Sequence, residues 1–374
     1  MTFRIFSIII TLFLFVNLAS AAEIYNKDNN KLDFYGTLEG AYRFSSYYDN
    51  TNNDQSYVCV GLKGETKLTN QIIGYSQWEY QSLLKLSEFE NTNNHIVRLG
   101  LIGMKFNDIG SFDYGRNYGV MYDISTWTNV LPAFGGDTYD VDNFMFQRGN
   151  GMLTYRSNNF FGLAKGLNFA IQYQHENNNL TEIEESGRDV LNENGQGWGL
   201  SSTYNIGSGL DIGIATFQSY RTDNQNGKIS RTYNIVGRNH KAKAYAGGFR
   251  YQINNFYLAT TYTRSYNAIH FGTSGYGYLY GYADYTNNLE IVAQYQFDFG
   301  LKPSLAFISS VGKVKDYGHR KLQQYVSIGA TYNFNKHLYA YCDFKINLLN
   351  DNNFNDSCGT NACSMAALGL AYKF

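Results

Sequence analysis

Apolar and polar residues alternate with a period of two along much of the chain, and the pattern is clearest at its end. There Ala366, Leu368, Leu370, Tyr372 and Phe374 form one apolar face, and the residues between them are small or charged. This alternation predicts a β-strand with one apolar and one polar face, about as long as a tilted strand that crosses a bilayer. A terminal aromatic residue then lies at the level of the lipid headgroups. If the pattern repeats, the chain is an outer-membrane β-barrel.

The same alternation recurs in segments 57–63, 289–298 and 322–334. A large soluble β-sandwich would also alternate. Its strands are shorter, however, and a single soluble domain of this length would need a core richer in Leu, Ile and Val. We therefore favour the membrane barrel over the sandwich.

Two kinds of connection separate the predicted strands. Short turns rich in Asn, Asp and Gly, which tolerate positive φ, occur at 68–71, 107–110, 254–255, 299–302 and 335–336. Longer polar stretches occur at 178–195, 222–242 and 350–363. Short turns on one side and long loops on the other are typical of bacterial outer-membrane barrels.

Counting turns and loops predicts an all-β fold, a sixteen-stranded antiparallel transmembrane β-barrel. Its strands are expected to begin near residues 33, 55, 72, 95, 110, 147, 166, 195, 209, 243, 256, 289, 303, 322, 338 and 364. An even number is required if both termini lie on the periplasmic side. A barrel of this size is too wide for side chains to fill, so we expect an aqueous channel.

Composition agrees with a protein that is mostly paired strand. The 374 residues include 34 Tyr and 37 Gly but only 2 Pro, and Pro cannot donate to a sheet ladder. Lys and Arg number 30 against 31 Asp and Glu, a net charge of -1. Without a basic excess, no nucleic-acid partner is expected.

The first residues predict a secretory signal peptide. Arg4 precedes an apolar run at 5–18, and Ala19-Ser20-Ala21 follows as a cleavage site of small residues. A short membrane helix is the alternative, but the run is too short and no stop-transfer pattern follows it. We assign residues 1–21 to the signal peptide and 22–374 to the barrel. No second apolar run is long enough for a membrane-spanning helix.

Several longer motifs resemble the enterobacterial general diffusion porins, the osmoporin type in particular. They lie at 22–32 (AEIYNKDNNKL), 110–119 (GSFDYGRNYG), 134–138 (FGGDT), 295–301 (YQFDFGL) and 345–349 (KINLL). The resemblance covers the whole mature chain. It implies an outer-membrane homotrimer for passive diffusion of small hydrophilic solutes, surrounded by lipid and lipopolysaccharide. It also implies that the barrel-assembly machinery recognises Phe374.

The resemblance further implies that the third extracellular loop folds into the lumen and makes its narrowest point. Here that loop is roughly 117–145, the longest segment without strand alternation. A surface loop is the alternative. The loop's apolar residues argue for packing against a wall instead: Met121, Trp127, Val130, Leu131 and Phe134.

The constriction departs from the family pattern, in which loop carboxylates face a basic ladder. The family's Asp and Glu align with Asn129 and Ala133 of this chain, so both carboxylates are missing. On the wall, Arg98 and Arg148 keep two basic positions. The other two basic positions align with Cys59 and Thr37. Together with Tyr122 on the loop, these residues are the predicted pore constriction.

Two interpretations of these replacements remain open: sequence drift without a change in transport, or a tuned selectivity. A cluster of one sign across a narrow water column is self-repelling, and the remaining pair is positive. We expect weak cation selectivity at most and favour a slight anion preference. The alternative functions are an anion-preferring or solute-specific porin.

The resemblance assigns Arg116 a role between subunits. The matching family Arg binds an acidic residue in the second loop of a neighbouring subunit. Glu88 and Glu90 lie in that loop here, and Glu90 aligns slightly better. The alternative is a surface Arg without a fixed partner.

Enzymatic and metal-binding signatures are lacking. The six His are scattered, and neither a G-x-S-x-G elbow nor a phosphate-binding loop occurs. We therefore expect no cofactor, no metal and no enzymatic activity, against the alternatives of a barrel enzyme or a plugged, adhesive barrel. Cys358 and Cys363 are close enough in sequence for a local disulfide, which stays open. Cys342 is expected on the lipid face.

Overall fold

The computed structural model describes residues 22–45, 53–85, 95–107, 109–178, 190–226, 239–272, 278–350, 353–359 and 363–374. Within these residues, sixteen strands form a closed antiparallel β-barrel. The described strands are β1 (Ala22–Lys27), β2 (Asn30–Ser45), β3 (Tyr57–Lys67), β4 (Ile72–Leu83), β5 (His95–Phe106), β6 (Gly110–Tyr118), β7 (Arg148–Ser157), β8 (Leu167–Gln174), β9 (Gly197–Gly207), β10 (Leu210–Tyr220), β11 (Lys241–Ile253), β12 (Phe256–Tyr266), β13 (His270–Phe271), β14 (Gly281–Tyr282), β15 (Tyr285–Tyr295), β16 (Leu301–Val314), β17 (Gly318–Asn333), β18 (Leu338–Asn347) and β19 (Met365–Lys373).

The barrel closes between its last strand and its first. β19 pairs with the upper part of β2, from Met365 opposite Ser45 to Lys373 opposite Thr37. β1 pairs with the lower part of β2 in a hairpin, whose turn uses Asp28 at φ 54°. Closure gives each of the sixteen barrel strands a partner on both sides, which a membrane-spanning sheet requires. Among the described residues, β1 pairs with β2 alone. The short ribbon of β13 and β14 stands outside the barrel sheet.

Burial alternates along the strands as the sequence predicts. In β19, Leu368 and Leu370 are 50% and 51% exposed, whereas Ala367 and Ala371 are buried. In β15 the buried positions include Glu290 and other polar residues. Apolar residues outside and polar residues inside are the inverse of a soluble core, which favours a membrane barrel over a β-sandwich.

The predicted strand starts are confirmed to within about four residues, the uncertainty expected at element ends. The largest differences are at β15 and β17, which begin earlier than the alternation suggests. Sheet hydrogen bonding there continues into polar sequence, where no apolar face marks the strand. The sequence also missed elements too short to show a period: β1, β13, β14, and the helices α1 (Tyr122–Ser125) and α2 (Asn353–Ser357).

Among the described residues, no helix combines the length and the apolar composition needed to cross a bilayer. Residues 1–21 lie outside the described residues, so the signal peptide stays a prediction.

Candidate pore constriction

The predicted constriction loop corresponds to the segment between β6 and β7, residues 119–147, which we call the loop segment. Its predicted bounds of 117–145 are shifted by two residues at each end. The shift arises because strand pairing continues from Asn117 opposite Gly149 to Tyr118 opposite Arg148.

Apolar side chains in the first part of the loop segment pack closely against glycines of the barrel strands. α1 carries Ile124 towards Gly213 on β10, where an added Cβ would lie 2.4 Å from Ile124 Cδ1 and 2.7 Å from Trp127 Cη2. An added Cβ at Gly199 on β9 would lie 2.6 Å from Val120 Cγ2. Glycine at these positions therefore makes room for the apolar side chains of the loop. Trp127, one of the apolar residues on which the prediction of an inward-folded loop rests, is 4% exposed.

The middle of the loop segment is bonded to β15. The Glu290 carboxylate accepts hydrogen bonds from the hydroxyls of Thr128 (2.5 Å) and Thr138 (2.7 Å). The Gln294 amide donates to the carbonyl of Val130 at 2.8 Å. Glu290 and Gln294 are buried, and they alternate with residues on the lipid-exposed face of β15.

The tip of the loop segment is bonded to β17 and β18. Asp343 Oδ2 accepts from the backbone N–H groups of Ala133 (3.0 Å) and Phe134 (3.1 Å). Asp137 pairs with Lys345 at 2.8 Å and accepts from the Tyr325 hydroxyl at 3.1 Å. The position that aligns with a family carboxylate, Ala133, is thus held through its backbone.

The start of the loop segment is tied to β7 and β9 through Asp123. Arg156 donates to both Asp123 carboxylate oxygens, at 2.9 and 2.8 Å, and the Ser201 hydroxyl donates at 2.5 Å. A carboxylate bonded by two strands in this way fixes the entry of the segment.

Three of the predicted constriction residues form a chain of contacts. The Arg148 guanidinium lies 5.8 Å from the centroid of the Tyr118 ring, which stacks on Tyr122 at 4.6 Å. The Asn129 amide donates to the Tyr122 hydroxyl at 3.0 Å. Arg148 is 9% exposed and makes no ion pair with a described residue.

The barrel wall carries an acidic residue that the sequence analysis missed. Arg98 lies at a bulge in β5, where its guanidinium donates to Glu79 Oε1 at 2.5 Å and to Gln81 Oε1 at 2.6 Å. Glu79 also accepts from the Tyr35 hydroxyl at 3.2 Å. The alternation along β4 places Glu79 on the inner face, and this pattern could have identified it from the sequence. Its charge compensates that of Arg98 within the same wall.

The two neutral replacements on the wall are direct neighbours. Thr37 on β2 is the register partner of Cys59 on β3, and both side chains are partly exposed. Gln81 is the next partner across, on β4.

Arg116 is bonded within its own chain. Its guanidinium forms a two-point ion pair with Asp142, at 2.6 and 3.1 Å, and also donates to Asn150 and to the Val97 carbonyl. Glu88 and Glu90 lie outside the described residues, so the pair between subunits stays a prediction.

Asp140 is the remaining aspartate of the loop segment. Its Oδ2 lies 3.3 Å from His270 Nδ1 on β13.

Cys358 follows α2. It is a free, buried thiol and does not form the local disulfide considered above. Burial raises the pKa of this thiol to about 11, so it stays protonated and poorly reactive at neutral pH.

Comparison with known proteins decides the family. The family described as Gram-negative porin matches residues 27–374. The chain belongs to this family. Among its relatives, Outer membrane porin C of Salmonella typhimurium is 47% identical over 383 residues and covers 100% of both chains. Outer membrane porin C of Enterobacter cloacae subsp. cloacae is 49% identical over 378 residues, again with 100% of both chains covered.

A solved structure agrees with these relatives. The chain is similar to the Salmonella typhi OmpF complex with Daunomycin, with a TM-score of 0.84 and 38% identity over 94% of this chain and 100% of that one. The protein is therefore an outer-membrane porin, a channel for general diffusion, and not an enzyme.

Proposed function

We propose that the loop segment lies inside this barrel and narrows a water-filled pore for small hydrophilic solutes. The supporting observation is the number of inner-face side chains that bind it. Asp123, Thr128, Ala133 and Asp137 contact β7, β15, β18 and β17 respectively, through residues on the face opposite the lipid. A segment on the outside of the barrel could not reach these positions.

The narrowest part of the pore lies between this segment and the wall of β2 to β7. Tyr122, Asn129 and Ala133 contribute the loop side. Thr37, Cys59, Arg98 and Arg148 contribute the wall, and water fills the space between them because the inner face is polar.

Charge pairing makes this constriction weakly selective. Glu79 compensates Arg98, and Lys345 compensates Asp137. Arg148 is left without a carboxylate partner among the described residues. Its potential is screened over roughly 8–10 Å at physiological salt, comparable with the radius of a narrow pore. The balance favours a slight anion preference.

The assembly and targeting follow the family. The protein is a homotrimer in which Arg116 contacts Glu90 or Glu88 of a neighbour, in a membrane of lipid and lipopolysaccharide. Residues 1–21 direct secretion, and Phe374 is the recognition signal for the barrel-assembly machinery. In support, Phe374 closes the barrel seam through hydrogen bonds with Gly36 in both directions, at 2.9 and 3.1 Å.

Liposome swelling tests the diffusion function. Reconstituted protein should admit mono- and disaccharides at rates that fall smoothly with solute size, whereas protein-free liposomes should not swell. Uptake of one sugar with exclusion of its isomers would contradict the proposal and indicate a solute-specific channel.

A further inference from the structure

On the inner face of β2 and β3, two small side chains lie between larger ones. Three inward positions of β2 face three of β3 in register: Tyr35 opposite Gly61, Thr37 opposite Cys59, and Glu39 opposite Tyr57. Thr37 and Cys59 are the small pair in the middle. We call the surface over this pair, between Tyr35 and Tyr57, the wall depression.

Tyr57 bounds the wall depression at one end and is held in place. Its hydroxyl donates to Glu39 Oε2 at 3.0 Å, and Tyr341 donates to the other carboxylate oxygen at 2.6 Å. Fixing the hydroxyl fixes the ring, so the aromatic surface is ordered before any solute arrives. Tyr57 and Glu39 are partly exposed, which leaves them accessible from the lumen.

Tyr35 bounds the other end, where polar groups gather. Its ring lies across Gly61, and the Lys63 ammonium lies 4.8 Å from the ring centroid. The Gln77 amide donates to the Tyr35 hydroxyl at 2.7 Å. Tyr57 and Gly61 are four residues apart, roughly 13 Å along the strand. Thr37 and Cys59 lie between these two positions in the register of β2 and β3.

The sides of the wall depression carry both donors and acceptors. Along the row of Thr37 and Cys59, Lys373 is the partner on β19 and Gln81 the partner on β4. Arg98 and its bonded Glu79 lie beside Gln81. The charged groups of both signs are close together, so the depression favours a neutral ligand over an ion.

We propose that the wall depression is a weak binding site for neutral pyranose rings, with the Tyr57 ring as the stacking surface. A pyranose presents C–H groups on its faces and hydroxyls around its edge. Its face fits the negative face of an aromatic ring, and its hydroxyls fit a rim of carboxylates, amides and ammonium groups. Stacking depends on the face of the sugar ring and not on the configuration of each hydroxyl. Isomeric pyranoses therefore bind alike, and none is excluded.

The site rests on the proposed open lumen, and one recording separates the two claims. Ion current through single channels is measured in KCl while methyl β-D-glucopyranoside is added, with sorbitol as the acyclic control at equal concentration. The glucoside should reduce the current in a saturable way, after correction for bulk conductivity, and sorbitol should not. Absence of ion current would contradict the open pore. Normal current with no saturable difference between the two solutes would overturn only the pyranose site.

Variants test the role of the ring. Tyr57→Leu should raise the half-blocking concentration about threefold to tenfold, the range that corresponds to one aromatic contact. Tyr57→Phe keeps the ring but loses the hydroxyl that fixes it, so its half-blocking concentration should lie between those of the unmodified protein and Tyr57→Leu. Tyr75→Leu is the matched control, because the Tyr75 hydroxyl, like that of Tyr57, donates to a carboxylate, here Asp113, but on a distant row.

A second variant tests the small pair under the wall depression. Cys59→Leu fills the depression without changing charge, and the saturable block should be lost when each current is normalised to its own sugar-free value. An unchanged half-blocking concentration in both Tyr57→Leu and Cys59→Leu would overturn the proposal. Equal loss in Tyr75→Leu would also overturn it.

Discussion

The ring of Tyr35 lies across Gly61 of the neighbouring strand, where an added Cβ would be 2.2 Å from Tyr35 Cζ. The hydroxyl then reaches Glu79, which is the register partner of Gly61 on the next strand. The row of Tyr75, Gly103 and Asp113 repeats the arrangement: a tyrosine crosses a glycine to bond a carboxylate. Glycine is therefore required where an aromatic side chain lies against the inner wall.

Gly61→Val should destabilise the barrel by about 1–3 kcal/mol, because the new side chain displaces the Tyr35 ring and its bond to Glu79. The unfolding temperature in detergent, followed by the mobility of folded and unfolded protein on gels, measures the effect. Gly40→Ala is the control, since nothing lies within 4 Å of a Cβ added at this outward glycine. Equal stability of the two variants would show that the Tyr35 contact contributes nothing.

Asp343→Ala should loosen the tip of the loop segment. It removes the acceptor of the Ala133 and Phe134 N–H groups, and leaving such buried donors unpaired costs about 1–3 kcal/mol. Single-channel recordings should show larger current fluctuations, and swelling assays should show faster entry of disaccharides. Ser327→Ala, which removes only a donor to the same carboxylate, should have a smaller effect. Identical recordings for Asp343→Ala and the unmodified protein would argue against a tethered loop in the pore.

Arg116→Ala should lower the temperature at which the trimer dissociates in detergent. Breaking a partly buried ion pair costs about 3–5 kcal/mol, mainly through the charge left unpaired. Glu90→Gln and Glu88→Gln identify the partner across the interface, and Asp142→Asn reports the contribution of the pair within the chain. Lys105→Ala is the control, because its pair with Glu65 is exposed. If Arg116→Ala dissociates at the unmodified temperature, Arg116 does not stabilise the trimer.

The barrel could be predicted from the sequence because each strand has one face towards lipid and one towards water. Apolar and polar residues therefore alternate along almost every strand. β19 shows this directly, with Leu368 and Leu370 outward as predicted. Alternation also placed Thr37 and Cys59 on the inner face. Alternation does not reveal which inner-face side chains bond to one another or to the loop segment. The bond of Arg98 to Glu79 depends on a bulge in β5, and the bond of Asp343 to Ala133 joins residues far apart in sequence.

The double variant Asn129→Asp with Ala133→Glu should move the ion selectivity towards cations. Two carboxylates on the loop would attract cations to the narrowest part of the pore and oppose Arg148. The reversal potential in a KCl gradient measures the shift, and Asn129→Gln with Ala133→Ser is a neutral control of similar polarity. No shift relative to this control would show that residues 129 and 133 do not face the pore.

The reversal potential of the unmodified protein in a KCl gradient tests the central claim most directly, namely that the channel is open and its constriction nearly balanced in charge. Planar bilayers that contain the purified protein should conduct steadily and reverse close to zero, on the anion-selective side. Strong cation selectivity, or no ion current at all, would contradict the account.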